Sequence, residues 1–337
     1  MRAVVLREPG NLGVEDVREA TRQKDDVLLK VRMVGLCGSD LNSFRGKNPM
    51  VVFPRIPGHE VAATIVEGNP LYPTLTVGTE VTLSPYTNCG KCPSCLRGRP
   101  NACQYNETLG VQRDGALREY ISVPPEKLYR ARLSLKELCL VEPLTVGFHA
   151  VARGRVTSAD TVAVLGCGGV GLGAVAGSAA RAARTIAIDL DDTKLAIARK
   201  AGAAETINTL REDLHQRLAE LTGGRGPDVV IEVIGLPETF RAAVEEVAFT
   251  GRVVYVGYAK EPVAYETRLF VQKELDILGS RNALPEDFVA VIEMLEQGRF
   301  PVGDAISMIV PMEEAPEAIR QWSSDPARFS KILVSLD

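Results

Sequence analysis

Hydrophobic and polar residues alternate in two different ways along the chain, and the change comes near residue 145. Up to that point, short apolar runs rich in Val, Ile and Leu are separated by Gly and Pro. Such spacing predicts the strands of a barrel-like antiparallel domain. The predicted strands are AVVL (3–6), DVLLKVRMVGL (26–36), VAATIVEG (61–68), EVTLSPY (80–86) and LREYISVP (117–124).

After residue 145, strand-like apolar runs alternate with amphipathic helical segments, of which residues 192–202 and 237–247 are the clearest. Repeated strand–helix units of this kind predict a doubly wound parallel sheet, the Rossmann type of α/β domain. Its six predicted strands are TVAVLG (161–166), TIAIDL (185–190), ETIN (205–208), DVVIEV (228–233), RVVYVG (252–257) and LDILG (275–279).

The end of the chain contains one more amphipathic segment and one more strand. Residues 285–300 have helical spacing, and FSKILVSL (329–336) predicts a terminal strand. We therefore expect the α/β sheet domain, residues 146–284, to be inserted into a β-rich domain formed by residues 1–145 and 285–337.

Composition and charge narrow the class of protein. The 337 residues carry a formal net charge of −4. The chain therefore lacks the excess of positive charge that proteins use to bind nucleic acid or an anionic membrane. Residues 161–180 are uncharged but contain six glycines and few large apolar side chains, so no membrane span is expected there. The first residues show no apolar signal-peptide core. We predict a cytoplasmic protein with neither a nucleic-acid nor a membrane partner.

A glycine-rich turn, GCGGVG (166–171), directly follows the first strand of the predicted sheet and opens an Ala-rich helix. In a G-x-G-x-x-G turn the first glycine permits a tight turn, the second lets the backbone approach a pyrophosphate, and the third lets helix and strand pack closely. The helix N-terminus adds free N–H groups for phosphate. The predicted dinucleotide-binding residues of this turn are Gly166, Gly168, Gly169, Val170 and Gly171.

Asp189 ends the next strand, 23 residues beyond Gly166, where a carboxylate would hold the hydroxyls of the adenine ribose. The same carboxylate would repel the 2′-phosphate of NADP, and no Arg follows immediately. We therefore predict NAD as the cofactor, with Lys194 as a further residue that could reach the ribose.

Four of the seven cysteines lie close together, with the spacing C-x2-C-x2-C-x7-C. In a reducing compartment, clustered cysteines bind metal more often than they form disulfides. Four converging thiolates predict a tetrahedral zinc site in which all four ligands come from the protein. Such a site would stabilise the loop formed by residues 88–103. An iron–sulfur cluster and a pair of disulfides or a redox C-x-x-C pair are the alternatives. The predicted ligands are Cys89, Cys92, Cys95 and Cys103.

An open metal site would need other ligands, because a four-cysteine site has no free coordination position. Cys37, His59, Glu60 and Glu142 are the available donors. One Cys, one His and one or two carboxylates suit Zn²⁺ with a position left for water or an alcohol. Spacing alone leaves open a buried core thiol at Cys37 and an ordinary turn histidine at His59.

The order of motifs resembles the zinc-dependent medium-chain dehydrogenase/reductase superfamily across essentially the whole chain. The motifs are CGSD (37–40), PGHE (57–60), the four-cysteine run, DG-x3-EY (114–120), EP (142–143) and GCGGVG. The acidic residue after His59 and the Glu of EP resemble the polyol-dehydrogenase branch. GVQRDG (110–115) and GSRNALPEDF (279–288) resemble sugar-acid dehydrogenases of the L-galactonate 5-dehydrogenase type. The resemblance implies a GroES-like catalytic domain.

The resemblance also implies roles for individual residues. Cys37 and His59 would be ligands of a catalytic zinc, with Glu60 or Glu142 as the third. Because the adjacent residues His59 and Glu60 cannot point the same way on a regular element, we expect Glu142 as the regular ligand and Glu60 as a neighbouring or exchanging carboxylate. Asp40 would support the ligands.

The implied reaction is oxidation of a secondary alcohol of a sugar acid or polyol to a ketone, with hydride transfer to NAD and two zinc ions per chain. Ser39 stands at the proton-relay position of the family. Asn42 stands where many relatives have a histidine, and it cannot titrate. We expect Arg281 and Asn282, and more weakly Arg45 and Gln112, to contact the substrate. An inter-domain salt bridge or a cofactor contact is the alternative for Arg281.

Three alternatives remain open at this point: a threonine- or butanediol-type dehydrogenase, a zinc-free reductase of the same superfamily, and a non-catalytic NAD-binding relative. Relatives are commonly dimers or tetramers, so the resemblance implies a homo-oligomer.

Overall fold

The computed structural model describes all 337 residues, which divide into two compact units. The first, here called the catalytic unit, comprises Met1–Glu142, Leu284–Gly298 and Val302–Asp337. The second, here called the nucleotide unit, comprises Pro143–Ala283 and Arg299–Pro301. The predicted boundaries followed residues 145 and 284, and Arg299–Pro301, which were expected in the catalytic domain, group with the nucleotide unit.

Fifteen strands form the sheets of the two units. In chain order they are β1 (Arg2–Glu8), β2 (Asn11–Asp16), β3 (Val27–Leu36), β4 (Glu60–Glu67), β5 (Glu80–Leu83), β6 (Tyr120–Val123), β7 (Leu128–Arg130), β8 (Thr161–Leu165), β9 (Arg184–Asp189), β10 (Glu205–Asn208), β11 (Val229–Glu232), β12 (Arg252–Tyr255), β13 (Asp276–Gly279), β14 (Met308–Pro311) and β15 (Ile332–Ser335).

Eleven α-helices lie between these strands. They are α1 (Gly38–Phe44), α2 (Pro93–Leu96), α3 (Leu135–Arg153), α4 (Gly169–Ala180), α5 (Asp192–Lys200), α6 (Leu214–Thr222), α7 (Pro237–Glu246), α8 (Arg268–Gln272), α9 (Pro285–Glu296), α10 (Val302–Ala305) and α11 (Ala315–Ser324). No helix is long and apolar enough to cross a membrane.

In the catalytic unit, strand β3 occupies the centre of a seven-stranded sheet. The strand order is β14-β15-β3-β4-β5-β7, and β6 pairs with the first half of β3. The terminal strand β15 is therefore a direct neighbour of β3, which places the end of the chain beside the segment that leads to Cys37. Apolar side chains such as Leu29, Ile65 and Ile121 are buried beneath this sheet.

In the nucleotide unit, six parallel strands follow the order β10-β9-β8-β11-β12-β13. The sequence order reverses on either side of β8, and ligands of open α/β sheets bind beyond the carboxyl ends of the strands at such a point. The runs TVAVL and VVIE are almost wholly buried because helices cover both faces of a parallel sheet. The predicted doubly wound sheet and β-rich companion domain are confirmed.

Several elements differ from the prediction. The polar strands β2 and β7 were not predicted, since neither is an apolar run. Helix α3 contains Pro143, which in the sequence looks like a helix breaker. Strand β14 pairs with β15 in parallel, so the sheet of the catalytic unit is not antiparallel throughout.

Candidate metal centres and cofactor site

Two adjacent strands bring Cys37, His59 and Glu60 together. Cys37 follows β3 and caps helix α1, whereas Glu60 begins β4 and lies opposite Gly35 in the β3–β4 register. The donor atoms of the three side chains all lie within 4.8 Å of one another. His59 is 5% and Glu60 0% exposed, while Cys37 is partly exposed. The structure therefore places these three predicted ligands in one cluster.

Asp40 supports this cluster from helix α1. Its Oδ2 accepts the backbone N–H of Cys37 at 2.9 Å, and its Oδ1 accepts that of Gly58 at 3.3 Å. Oδ1 also lies 4.0 Å from Nδ1 of His59. One buried carboxylate thus fixes the loops that carry both the thiol and the imidazole, as supporting partners of metal ligands commonly do.

Glu142 approaches the cluster from helix α3 but lies outside the set of mutually close donors. It is buried, and its Oε1 accepts a hydrogen bond from the hydroxyl of Tyr86. Burial raises the pKa of Glu142, an effect that the charge of His59 partly opposes. The sequence favours Glu142 over Glu60 as the third ligand, whereas the structure places Glu60 nearer to Cys37 and His59.

Lys331 is a site residue that sequence reasoning missed. Its ammonium group lies 2.6 Å from each carboxylate oxygen of Glu60 and donates to the carbonyl of Leu36 at 3.2 Å. Burial disfavours the charged amine, but the negative charges of Glu60 and Cys37 outweigh it and raise the pKa of Lys331. The only sequence signal is a lysine directly before the apolar terminal strand.

The donor set fits a zinc ion. Thiolate, imidazole and carboxylate are its usual protein ligands, and Nδ1 of His59 is buried without a hydrogen-bond partner. Burial lowers the pKa of His59, but the charges of Cys37 and Asp40 prevail and raise it well above 6.5. The negative charges that favour a proton on His59 would equally favour a divalent cation bound in its place.

Ser39 and Asn42 lie three residues apart on helix α1, on the same side of its axis. The hydroxyl oxygen of Ser39 is buried without a hydrogen-bond partner, two residues after Cys37. The hydroxyls of Thr82, Ser178 and Ser280 are likewise buried without a partner, so what distinguishes Ser39 is its place two residues after Cys37. Asn42 is half-buried.

The four clustered cysteines form a second donor group. The sulfur of Cys92 lies 3.5 Å from that of Cys95 and 3.8 Å from that of Cys103, and all four thiols are free. The Ser94 hydroxyl and backbone N–H groups lower the pKa of Cys92 to about 5, whereas burial raises that of Cys95 to about 11. Converging sulfurs with N–H donors around them suit a tetrahedral metal ion.

In the nucleotide unit, the glycine turn links β8 to α4. Gly166 has φ +100°, and a Cβ on Gly171 would lie 1.9 Å from the carbonyl oxygen of Gly166, so both positions require glycine. A Cβ on Gly168, by contrast, would meet no protein atom within 4 Å. The turn therefore leaves open space beside its backbone at the N-terminus of α4, where Gly169 and Val170 begin the helix.

Asp189 connects this turn to the end of β9. Its Oδ2 accepts the N–H of Cys167 at 2.7 Å, and its Oδ1 accepts the N–H groups of Leu190 and Asp191 at 2.8 and 3.1 Å. Lys194 lies in the first turn of α5, where its N–H donates to Asp191. The carboxylate is thus fixed beside the glycine turn by backbone donors.

The four predicted substrate residues are divided between the units. Arg281 and Asn282 follow β13 in the nucleotide unit, and Asn282 has φ +53°. In the catalytic unit, Arg45 donates to the hydroxyl of Ser323 at 3.0 Å, and Gln112 accepts the N–H of Thr108 at 2.8 Å. Arg45 and Gln112 thus have structural contacts within their own unit.

Fold and donor groups together define a zinc-binding dehydrogenase with a GroES-like domain and a nucleotide-binding sheet. Two family models match the chain: an alcohol dehydrogenase GroES-like domain over residues 23–132, and a zinc-binding dehydrogenase domain over residues 169–297.

Similar proteins include a sorbitol dehydrogenase of Bacillus subtilis, 32% identical over 99% of this chain and 97% of its own length. L-galactonate-5-dehydrogenase of Escherichia coli is 30% identical, covering 89% of this chain and 88% of its own. The crystal structure of the alcohol dehydrogenase RspB of E. coli CFT073, complexed with NADH, has a TM-score of 0.91 at 28% identity and covers 100% of this chain and 99% of its own. The chain belongs to the zinc-type medium-chain alcohol dehydrogenase family, which confirms the resemblance.

Proposed function

We propose that this protein is a zinc- and NAD-dependent dehydrogenase that oxidises a secondary alcohol of a sugar acid or polyol to a ketone. The observation that carries the proposal is the buried donor set of Cys37, His59 and Glu60, with Glu142 beside it and an unpaired Ser39 hydroxyl. A zinc-free reductase would have no use for such a set.

Two zinc ions per chain follow from the two donor groups. Cys37 and His59, with Glu60 or Glu142 as the third ligand, would hold the catalytic ion, and the four cysteines would hold a structural one. When bound, the catalytic zinc supplies Lewis acidity that favours ionisation of an alcohol near neutral pH. Asp40 keeps Cys37 and His59 oriented for this role through its bonds to both loops.

Ser39 is the proposed first acceptor of the substrate's proton, because its buried hydroxyl has no other partner. Asn42, on the same face of α1, can donate or accept a hydrogen bond but cannot take up a proton near neutral pH. The proton therefore leaves Ser39 by way of water or a cofactor hydroxyl rather than through residue 42.

NAD is the proposed hydride acceptor. The fixed carboxylate of Asp189 suits the two hydroxyls of an adenosine ribose and disfavours a 2′-phosphate. A markedly higher kcat/KM with NADP+ than with NAD+ would contradict this proposal.

The substrate class rests on the similar proteins named for sorbitol and L-galactonate, and on Arg281. A guanidinium binds a carboxylate through two parallel hydrogen bonds. We expect Arg281→Ala to raise the KM of an aldonate more than that of its uncharged polyol. An equal rise for both would exclude a carboxylate clamp.

The test of the whole proposal is NADH formation with a panel of aldonates, polyols, threonine and butanediol, together with the zinc content of the purified chain. Turnover of aldonates or polyols with two zinc ions per chain is the expected result. Preference for threonine or butanediol would change the substrate class, and no turnover of any alcohol would favour a binding role. Sedimentation would test the proposed dimer or tetramer.

A further inference from the structure

Glu232 is a buried carboxylate for which the proposed reaction has no role. It ends β11, the strand that lies beside β8 at the point where the strand order of the parallel sheet reverses. The residue is 0% exposed, and burial raises the pKa of its carboxyl group. A charged group is costly in such a position unless it is well hydrogen-bonded, so the contacts of Glu232 indicate what it does.

One oxygen of Glu232 makes all of its side-chain hydrogen bonds. Oε1 accepts the backbone N–H groups of Ile234 and Gly235 at 2.8 Å each, and the hydroxyl of Thr239 at 2.8 Å. Thr239 lies in the first turn of helix α7. A single acceptor therefore fixes the segment formed by residues 233–236, here called the β11 loop, to the end of β11 and to the start of α7.

The other oxygen, Oε2, is buried without a hydrogen-bond partner, against the segment that follows β12. A Cβ on Gly257 would lie 2.6 Å from Oε2 and 2.4 Å from the nitrogen of Gly235. The backbone carbonyl of Glu232 also accepts the N–H groups of Val256 and Gly257, at 2.9 and 3.2 Å. The carboxylate is therefore enclosed between two loops at the carboxyl ends of β11 and β12.

The β11 loop packs directly against the glycine turn that follows β8. The N–H of Val233 donates to the carbonyl of Leu165 at 3.1 Å, and a Cβ on Gly166 would lie 2.7 Å from Cγ1 of Ile234. Ile234 is nevertheless 44% exposed, so its side chain forms apolar surface beside the turn. Ligands of open α/β sheets bind at this edge, which places Ile234 next to the proposed cofactor site.

We propose that Glu232 is a positioning residue, which fixes Ile234 against the glycine turn and thereby shapes an apolar wall of the cofactor site. The inference rests on the proposed function, because it requires NAD to bind at that turn. Glu232 itself touches neither cofactor nor substrate, since its side chain is wholly buried. It acts through the N–H of Ile234.

The test measures the Kd of NADH by fluorescence titration of the full-length protein, with the melting temperature of each variant. Glu232→Ala removes the acceptor that holds Ile234, and we expect its Kd to rise by roughly 3–30-fold. Glu232→Gln keeps an acceptor oxygen at the same distance from the backbone, so its Kd should stay close to the wild-type value. Equal weakening in both variants would show that the charge matters rather than the position of the acceptor, and would overturn the inference.

A double-mutant cycle tests whether Glu232 acts through Ile234. Ile234→Ala should weaken NADH binding by itself, and Glu232→Ala should then change the Kd by less than about twofold more. Fully additive losses would overturn the inference. Ile234→Ala also keeps the test decisive if Glu232→Ala does not fold. Because Ile234 is nearly half exposed, that variant should keep the wild-type melting temperature, and an unchanged Kd in it would likewise overturn the inference.

Asp228→Asn is the matched control. The Oδ2 atom of Asp228 accepts the N–H of Thr161 at 2.7 Å, which joins the amino ends of β11 and β8 instead of their carboxyl ends. Its loss should lower the melting temperature without changing the Kd of NADH. A Kd raised as much as in Glu232→Ala would show general destabilisation and overturn the inference.

The proposed function and this inference fail in different ways. A wild-type protein that binds no NADH would overturn both together. A wild-type protein that binds NADH, with an unchanged Kd in Glu232→Ala, would overturn this inference alone.

Discussion

The carboxylate of Asp189 accepts a hydrogen bond from the backbone N–H of Cys167 at 2.7 Å, which joins the end of β9 to the glycine turn after β8. The two segments meet because β8 and β9 are parallel neighbours, so their carboxyl ends lie side by side. Asp189, which is proposed to bind the ribose, is thus hydrogen-bonded to the glycine turn that is proposed to bind the pyrophosphate.

We expect Asp189→Asn to raise the KM for NAD+ by about 10–100-fold, because a hydrogen bond to a charged group contributes about 1.5–3 kcal/mol. Activity with NADP+ should fall much less, since the repulsion of its phosphate is removed as well. Steady-state kinetics with both cofactors measure the change. Asp191→Asn, which keeps a helix-capping side chain on α5, should leave both KM values unaltered. Equal losses with NAD+ and NADP+ would argue against this role of Asp189.

Replacement of one clustered cysteine should separate the two metal sites. We expect Cys95→Ser to lower the zinc content from about two ions per chain to about one. Loss of a structural metal costs roughly 4 kcal/mol or more, which corresponds to a fall in melting temperature of roughly 10 °C. Elemental analysis and thermal unfolding provide the measurements.

Cys139→Ala is the control for that experiment, since Cys139 is a buried thiol outside both donor groups. It should retain both zinc ions. If Cys95→Ser also kept both, the four cysteines would not be a zinc site.

Asp160 makes stability depend on pH in the nucleotide unit. It accepts the N–H and hydroxyl of Thr157 at 2.7 and 3.0 Å and pairs with Arg252. Burial opposes its charge, but these partners prevail and lower the pKa of Asp160. The stabilisation is therefore complete above the unfolded-state pKa of about 3.9 and is lost as the pH falls through the lower folded-state pKa.

We expect Asp160→Asn to destabilise the protein by about 1–3 kcal/mol at pH 7, with a difference that stays constant down to about pH 5 and shrinks below about pH 4. Urea unfolding across this range measures it. Asp276→Asn removes an exposed pair with Arg155 in the same unit and should cost less than about 1 kcal/mol. If the difference in unfolding free energy between the wild type and Asp160→Asn grew as the pH fell, Asp160 would not be stabilising the protein through its charged form.

The parts of the molecule that were predictable are those in which short stretches of sequence determine the structure. The strands of the nucleotide unit are continuous apolar runs. The turn at Gly166 has a positive φ, which favours glycine, and so its glycine is visible in the sequence. The convergence of four cysteine side chains within one loop was likewise predictable from their spacing.

The contact between Lys331 and Glu60 could not be predicted in this way. The two residues are 271 positions apart, and they meet only because β15 and β4 flank the same strand. Helix α3 was not predicted, and its interior Pro143 is a residue that usually interrupts helices, yet that helix is what carries Glu142 to the cluster. Which carboxylate approaches Cys37 and His59 depends on these long-range pairings, not on local spacing.

Asn42 offers the sharpest test of the proposed proton path. It follows Ser39 by one helical turn, and an imidazole at this position would provide a titratable acceptor for the hydroxyl's proton. In Asn42→His, kcat/KM should therefore rise with pH through about 6.5, because only the neutral imidazole can accept. Above that pH, we expect kcat/KM of Asn42→His to exceed the wild-type value several-fold. This gain is well below the roughly 10²–10⁴-fold that a fully positioned general base contributes.

Asn42→Gln, which cannot titrate, should keep the wild-type pH profile of kcat/KM. Identical profiles for all three proteins would mean that the proton does not pass along this face of α1.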